Sequence, residues 1–223
     1  MIRLEHVTKA FPGPRPRVVL RDVSLAIAPR QLVALVGESG VGKSTVLNII
    51  AGLERADAGS VMVAGVALDA LDDDALTVFR RERIGFVFQA FHVLPYLTVA
   101  QNVALPLSLQ GRAGDAAHDR VQAMLASVGL ADRAASMPRE LSGGELQRTA
   151  IARALVHRPA VVLADEPTGN LDPESAAGVI ALLRDCVHAE GATAVLVTHS
   201  HAAAAHADRI VALTAGGVAD VED

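Results

Sequence analysis

The stretch Gly37-Glu38-Ser39-Gly40-Val41-Gly42-Lys43-Ser44-Thr45 decides how the rest of the chain is read. It matches the pattern G-x-x-x-x-G-K-[ST] in full. An apolar run over residues 31–36 precedes it, and runs of that kind suit a buried parallel strand. Helical character follows over residues 42–53 and stops at Gly52. Strand, glycine turn and helix are the context in which this pattern binds phosphate. The glycines let the backbone curl so that its N–H groups point inward. A phosphate then sits on a helix N-terminus, where the partial positive charge favours it. Lys43 would neutralise the β- and γ-phosphates, and Ser44 would ligate Mg²⁺. An ordinary glycine turn before a helix does not ask for Lys-Ser-Thr at this offset.

Outward from this loop, strand and helix patterns alternate, which predicts a mostly parallel α/β sheet. Residues 2–11 and 18–27 read as two strands joined by a Pro/Gly-rich loop at 12–16. Further strands are expected at 60–67, 83–88, 160–164, 193–197 and, last, 209–213. Helices are expected at 99–109, 116–128, 173–189 and 201–208. Pro173 falls in a first helical turn, where its missing N–H costs nothing. Residues 91–154 read as a helical insert, with Val121, Met124, Leu125 and Val128 at helical spacing. The whole chain, 1–223, is expected to form one domain.

Two further motifs carry chemistry. Val161-Val162-Leu163-Ala164-Asp165-Glu166 is an apolar strand ending in two carboxylates. Asp165 would hold Mg²⁺ through water, and Glu166 would polarise an attacking water as general base. Asp-Glu alone would fit a solvated strand edge; following a phosphate loop, it fits metal-assisted phosphoryl transfer. Leu141-Ser142-Gly143-Gly144-Glu145 runs into an Ala/Leu/Arg-rich helix. It reads either as a second anion-binding N-terminus or as a simple cap with Ser142 as N-cap.

Together these residues resemble the nucleotide-binding subunit of an ATP-binding-cassette transporter, over essentially the whole chain and in that family's order. The resemblance implies an α/β fold of the P-loop NTPase, ABC-cassette type: a mostly parallel core sheet, an N-terminal antiparallel β part and an inserted α-helical subdomain. It implies that Ser142, Gly143, Gly144 and Glu145 contact the γ-phosphate held by a second copy of the chain. Gln89 matches the glutamine that senses Mg²⁺ and links to the insert. Asn170-Leu171-Asp172 matches the loop that crosses the dimer interface, and His199 matches the switch histidine. Phe11 stands where the family more often has an adenine-stacking tyrosine, and its π-face suits a base. The runs 84–95 and 164–172 resemble the ATPases of the macrolide-exporter and lipoprotein-release group. Departures are Val41, Glu38, Arg139 and Ser200, and none removes a catalytic group. ATP and Mg²⁺ are therefore expected, with integral membrane permease subunits as partners.

Composition sets limits. The net charge of −5 gives no electrostatic footprint for nucleic acid. One cysteine, Cys186, excludes an internal disulfide and fits a reducing compartment. The first residues lack the pattern of a signal peptide, and no apolar stretch approaches the ~18 residues that cross a bilayer. The chain is expected to be soluble by itself and to reach the cytoplasmic face of the membrane through its partner. A GTPase or small-molecule kinase would leave residues 141–145 without a role, and no N-K-x-D motif is present. A division-associated relative, signalling through a membrane partner without moving a solute, would share every catalytic residue.

Overall fold

The computed structural model describes residues 1–13 and 17–221; much of the loop expected at 12–16 lies outside them. The chain builds two sheets. Strands β1 (Ile2–Phe11), β2 (Arg17–Ile27), β4 (Ala58–Val63) and β5 (Val66–Ala67) form an antiparallel sheet in the order β2-β1-β4-β5. Strands β3 (Leu32–Val36), β6 (Ile84–Phe88), β7 (Val161–Asp165), β8 (Thr193–Val197), β9 (Arg209–Thr214) and β10 (Gly217–Asp220) form the second, in the order β10-β9-β3-β8-β7-β6. All its pairings are parallel except β9 with β10. This is the α/β architecture expected from the sequence.

The parallel strands are apolar on both faces because both faces are covered. Val33, Leu35, Val161, Leu163, Val195 and Val197 pack towards the antiparallel sheet and helix α1 (Lys43–Ile50). Their neighbours Leu32, Val162, Ala164, Ala194 and Leu196 belong to a second core. That alternation is the period-two geometry of a strand. The second core also takes in α3 (Val99–Leu109), α4 (Asp115–Ser127), α5 (Gly143–Leu155) and α6 (Pro173–Glu190). The insert therefore shares its apolar packing with one face of the sheet.

Four expectations need correction. Residues 60–67 are not one strand, because Ala64 and Gly65 take positive φ and turn β4 into β5. A helix that the apolar pattern missed, α2 (Asp73–Arg83), lies between β5 and β6. It buries only Leu76 and Phe79, but Asp72 caps its start by accepting from the Ala75 N–H, and three arginines close its end. The helix expected over 201–208 is a single turn, α7 (His201–Ala204). The strand at 209–214 is not the last, since β10 folds back on it.

Candidate functional site

Strand register gathers the expected site residues on one edge. Parallel pairing sets Leu35 and Asp165 each opposite Val197, and Phe88 opposite Asp165. The residues that follow β3, β6, β7 and β8 therefore emerge side by side at the carboxyl ends of the strands. That is where ligands bind in open α/β sheets. They are the loop at 37–42, Gln89, Glu166 and His199.

The glycine loop folds as its pattern asks. Gly42 is the N-cap of α1 at φ 112°, and no side chain caps this helix. A Cβ at Gly42 would lie 2.7 Å from Leu20 Cδ2 and 2.9 Å from Val19 Cγ1, so only glycine fits. Lys43 is 6% exposed, and its Nζ donates to the carbonyls of Gly37 (2.8 Å) and Glu38 (2.9 Å). Burial pulls its ammonium below its ordinary value, while the charges of Glu166 and Asp165 push it back up. Those two carboxylates therefore act on the same lysine that heads the loop. Arg17, which the sequence reading passed over, donates to the Gly40 carbonyl at 3.0 Å. Beside the loop a cleft of about 670 Å³ is lined by residues 17–21, 37–41 and 212–215.

At the ends of β7 and β8, Glu166 Oε1 lies 2.9 Å from His199 Nε2. Glu166 adopts φ 47°, and its own N–H donates to Val197 O at 2.9 Å. A left-handed non-glycine residue costs roughly 1–2 kcal/mol, and such residues cluster at functional sites. Gln89 Nε2 donates to Asn170 Oδ1 at 3.2 Å, and Asn170 Nδ2 donates to Gln89 O at 3.0 Å. A Cβ on Gly169 would sit 2.6 Å from Gln89 Nε2, so glycine lets these two loops touch.

The loop at 141–145 is organised differently. Ser142 caps α5 by accepting from the Glu145 N–H at 3.3 Å. The Glu145 carboxylate accepts in return from Ser142 N–H (2.8 Å) and Ser142 Oγ (2.9 Å), a closed capping box. Arg133 adds an ion pair at 3.1 Å. The hydrogen bonds from Ser142 hold the Glu145 carboxyl below its usual range. Glu145 is thus occupied inside its own helix start. Asp172 is likewise occupied, accepting from the Ser175 N–H at the start of α6. Phe11 is 36% exposed at the end of β1, with Lys9 Nζ 5.4 Å from its ring centre.

The donors expected for the metal are oxygens: the Ser44 hydroxyl, the Asp165 carboxylate and the Gln89 carboxamide. Such a set suits Mg²⁺ rather than a soft metal. Among the described residues no group of three or more His, Cys, Asp or Glu forms a metal cage. Mg²⁺ binding through one or two side chains, water and substrate phosphates needs none.

A phosphate loop after β3 on a parallel sheet, with carboxylates at the end of β7 one strand further across, defines a nucleotide-hydrolysing P-loop protein. Residues 20–169 match the family model described as ABC transporter. The lipoprotein-releasing system ATP-binding protein LolD of Maricaulis maris (strain MCS10) is 48% identical over 215 residues, 96% of this chain and 92% of that protein. The macrolide export ATP-binding/permease protein MacB of Burkholderia pseudomallei (strain 1710b) is 46% identical over 219 residues, 98% of this chain. This chain spans only 33% of that MacB protein. A dimeric structure of the ATP-binding cassette MJ0796, in a post-hydrolysis state bound to ADP and Pi, aligns with TM-score 0.87 at 38% identity over 100% of both chains. The chain belongs to the ABC transporter family, as an ATPase cassette.

Proposed function

We propose that this cassette hydrolyses ATP between two copies of itself and uses the closure to drive an integral membrane partner. The work done would be export or the extraction of lipoproteins or other substrates, as the names of the MacB and LolD relatives suggest. One observation carries the reading: the 2.9 Å contact of Glu166 and His199 at the strand edge that also bears the Lys43 loop.

In this reading the backbone of residues 37–45 holds the phosphates on the start of α1, and Lys43 leaves the Gly37 and Glu38 carbonyls to pair with them. Phe11 offers the ring face away from Lys9 to the base. Ser44, Asp165 and Gln89 would hold Mg²⁺, which would supply neutralisation of the charge that develops on the phosphates. Glu166 takes the proton of the attacking water, and His199 holds Glu166 and the γ-phosphate in register. The 142–145 loop presents its helix N-terminus to the nucleotide of the second copy, with Ser142, Gly143 and Gly144 at the surface and Glu145 fixing their shape. Asp172 fixes the crossing loop in the same way, by capping α6. ATP and ADP differ by the phosphate that bridges the copies, and only such a difference can shift an open–closed equilibrium.

The partner would seat on the segment after Gln89. None of Phe91, Val93, Leu94, Pro95 and Leu97 is buried, and Tyr96 is 90% exposed. Among the described residues no helix is long and apolar enough to cross a membrane, so this segment is the proposed route to one. Glu166→Gln is the test. It should keep ATP binding, lose turnover and yield an ATP-dependent pair on size exclusion. Full ATPase activity in that variant would remove Glu166 as the base. Capture of a four-span protein with a large extracytoplasmic domain would support export or extraction. A many-span permease would argue against it.

A further inference from the structure

The segment between β6 and α3 contains a kink that its own sequence does not favour. Phe91 and His92 are consecutive, neither is glycine, and both take left-handed backbone, at φ 60° and 50°. L-residues avoid that region, and such a conformation persists only where the surroundings hold it. Two backbone hydrogen bonds and the Phe88 ring, 4.8 Å from that of His92, support it from within, and one side chain of α5 grips it from outside. Arg153, in the last turn of α5, donates Nη2 to Phe91 O at 2.9 Å and Nη1 to His92 O at 2.6 Å. The planar guanidinium fork can take two adjacent carbonyls at once, which a lysine ammonium on its flexible stem cannot reproduce. Burial pulls the Arg153 guanidinium below its ordinary value, so these carbonyls also stabilise a poorly solvated charge.

The same helix grips the segment once more. Gln147, 0% exposed, donates Nε2 to Phe88 O at 3.4 Å, while its Oε1 has no hydrogen-bond partner. At its C-terminal end α5 lies directly on β6: a Cβ on Gly85 would come within 2.1 Å of Ala154 O. One rigid helix therefore starts at Ser142 and ends clamped to the kink. The exposed Tyr96 follows four residues after His92.

We propose that Arg153 is a positioning residue that couples the exposed segment around Tyr96 to the Ser142 loop, with α5 as the connecting rod. The inference rests on the reading of residues 141–145 as a contact for the second copy's nucleotide. Closure on Ser142 shifts α5, and Arg153 carries the shift into Phe91 and His92. By linkage, a partner seated on Tyr96 biases closure to the same extent.

The chain has one tyrosine and no tryptophan, so its tyrosine emission reports on Tyr96 alone. The experiment measures acrylamide quenching of that emission in purified Glu166→Gln chain, with and without MgATP. ATP should change the quenching constant in this parent. Adding Arg153→Met should remove most of that change, while ATP affinity stays within about twofold; Arg153→Lys, able to hold only part of the contact, should fall between them. If Arg153→Met does not fold, as judged by circular dichroism, Arg153→Lys carries the comparison. A purely structural role would lower the melting temperature and leave the ATP-dependent change intact, which overturns the proposal. A parent that pairs on ATP with no change at Tyr96 overturns it too, and leaves the functional reading standing. A parent that binds ATP without pairing defeats the functional reading, and this inference with it.

Discussion

Helices α1 and α5 both begin on glycine-rich loops, yet their starts are built in opposite ways. At α1 no side chain caps the helix, and the loop's one buried cation is parked on two backbone carbonyls that it can leave. At α5 the capping box is closed, with Ser142 and Glu145 satisfying each other. An uncapped helix start with a movable lysine is a cradle that receives an anion. A start whose side chains are already paired is a shaped surface that keeps its form until something is pressed against it. The first region is complete in one chain. In the proposed reading, the second gains a purpose when a second copy is added.

The sharpest way to break this contrast is to disable each region and ask what is lost. Lys43→Ala should lower hydrolysis by about 100–1000-fold, the scale seen for removing one electrostatic partner of a reacting group. It should also weaken ATP binding by the single chain. Ser142→Arg should abolish hydrolysis as well, yet leave binding of a fluorescent ATP analogue by the single chain within about twofold, since it blocks approach and not the cradle. Loss of single-chain binding in Ser142→Arg would collapse the distinction.

A milder pair compares the glycines. Gly42→Ala forces a Cβ against Leu20 and Val19 at φ 112°, and should cost about 2–3 kcal/mol in chemical denaturation. Gly144→Ala meets nothing nearer than Arg148 Nη1 at 3.9 Å and lies inside a helix. It should add about 0.5–1 kcal/mol of stability and still reduce hydrolysis, because its methyl group would stand on the proposed contact surface. Equal stability changes in the two would mean that the loops are not differently built.

The smallest effect is expected at Glu145→Gln. Glutamine can keep the capping box, so the loss should stay at or below about 1 kcal/mol. Its pH dependence is the informative part. The folded-state carboxyl of Glu145 is held below its ordinary value. Its contribution should be fully present above the ordinary carboxylate range and fade as pH falls through the lowered value. Melting curves of both proteins should therefore differ at neutral pH and converge only in acid.

The sequence reading reached the core strands because buried parallel strands are short unbroken apolar runs, as at 161–165 and 193–197. It missed α2 because two buried apolar residues among seven charged or polar ones give little periodicity; the Asp72 cap and the acidic-to-basic charge gradient were the usable signal. It merged β4 with β5 because Ala64 carries no turn signature of its own. For the site, the apolar strand ending in two carboxylates named Glu166, the family resemblance named Gln89 and His199, and strand register explains how the three come to the same ends of the sheet. The reciprocal bonds of Gln89 and Asn170, and the grip of Arg153 on two carbonyls, depend on side chains brought together across long separations. No local pattern encodes them.

The sheet order has a consequence for synthesis. The strand that leads into the phosphate loop, β3, is flanked by β8 and β9, both made long after it. At usual translation speeds the intervening chain takes on the order of ten seconds to appear. Throughout that time a five-residue apolar strand has neither neighbour, which is when nascent chains are most prone to aggregate. The phosphate-loop motif is thus among the last parts of this sheet to be locked in place. A chain stalled before β8 would carry a phosphate-loop sequence without the sheet that gives it a shape.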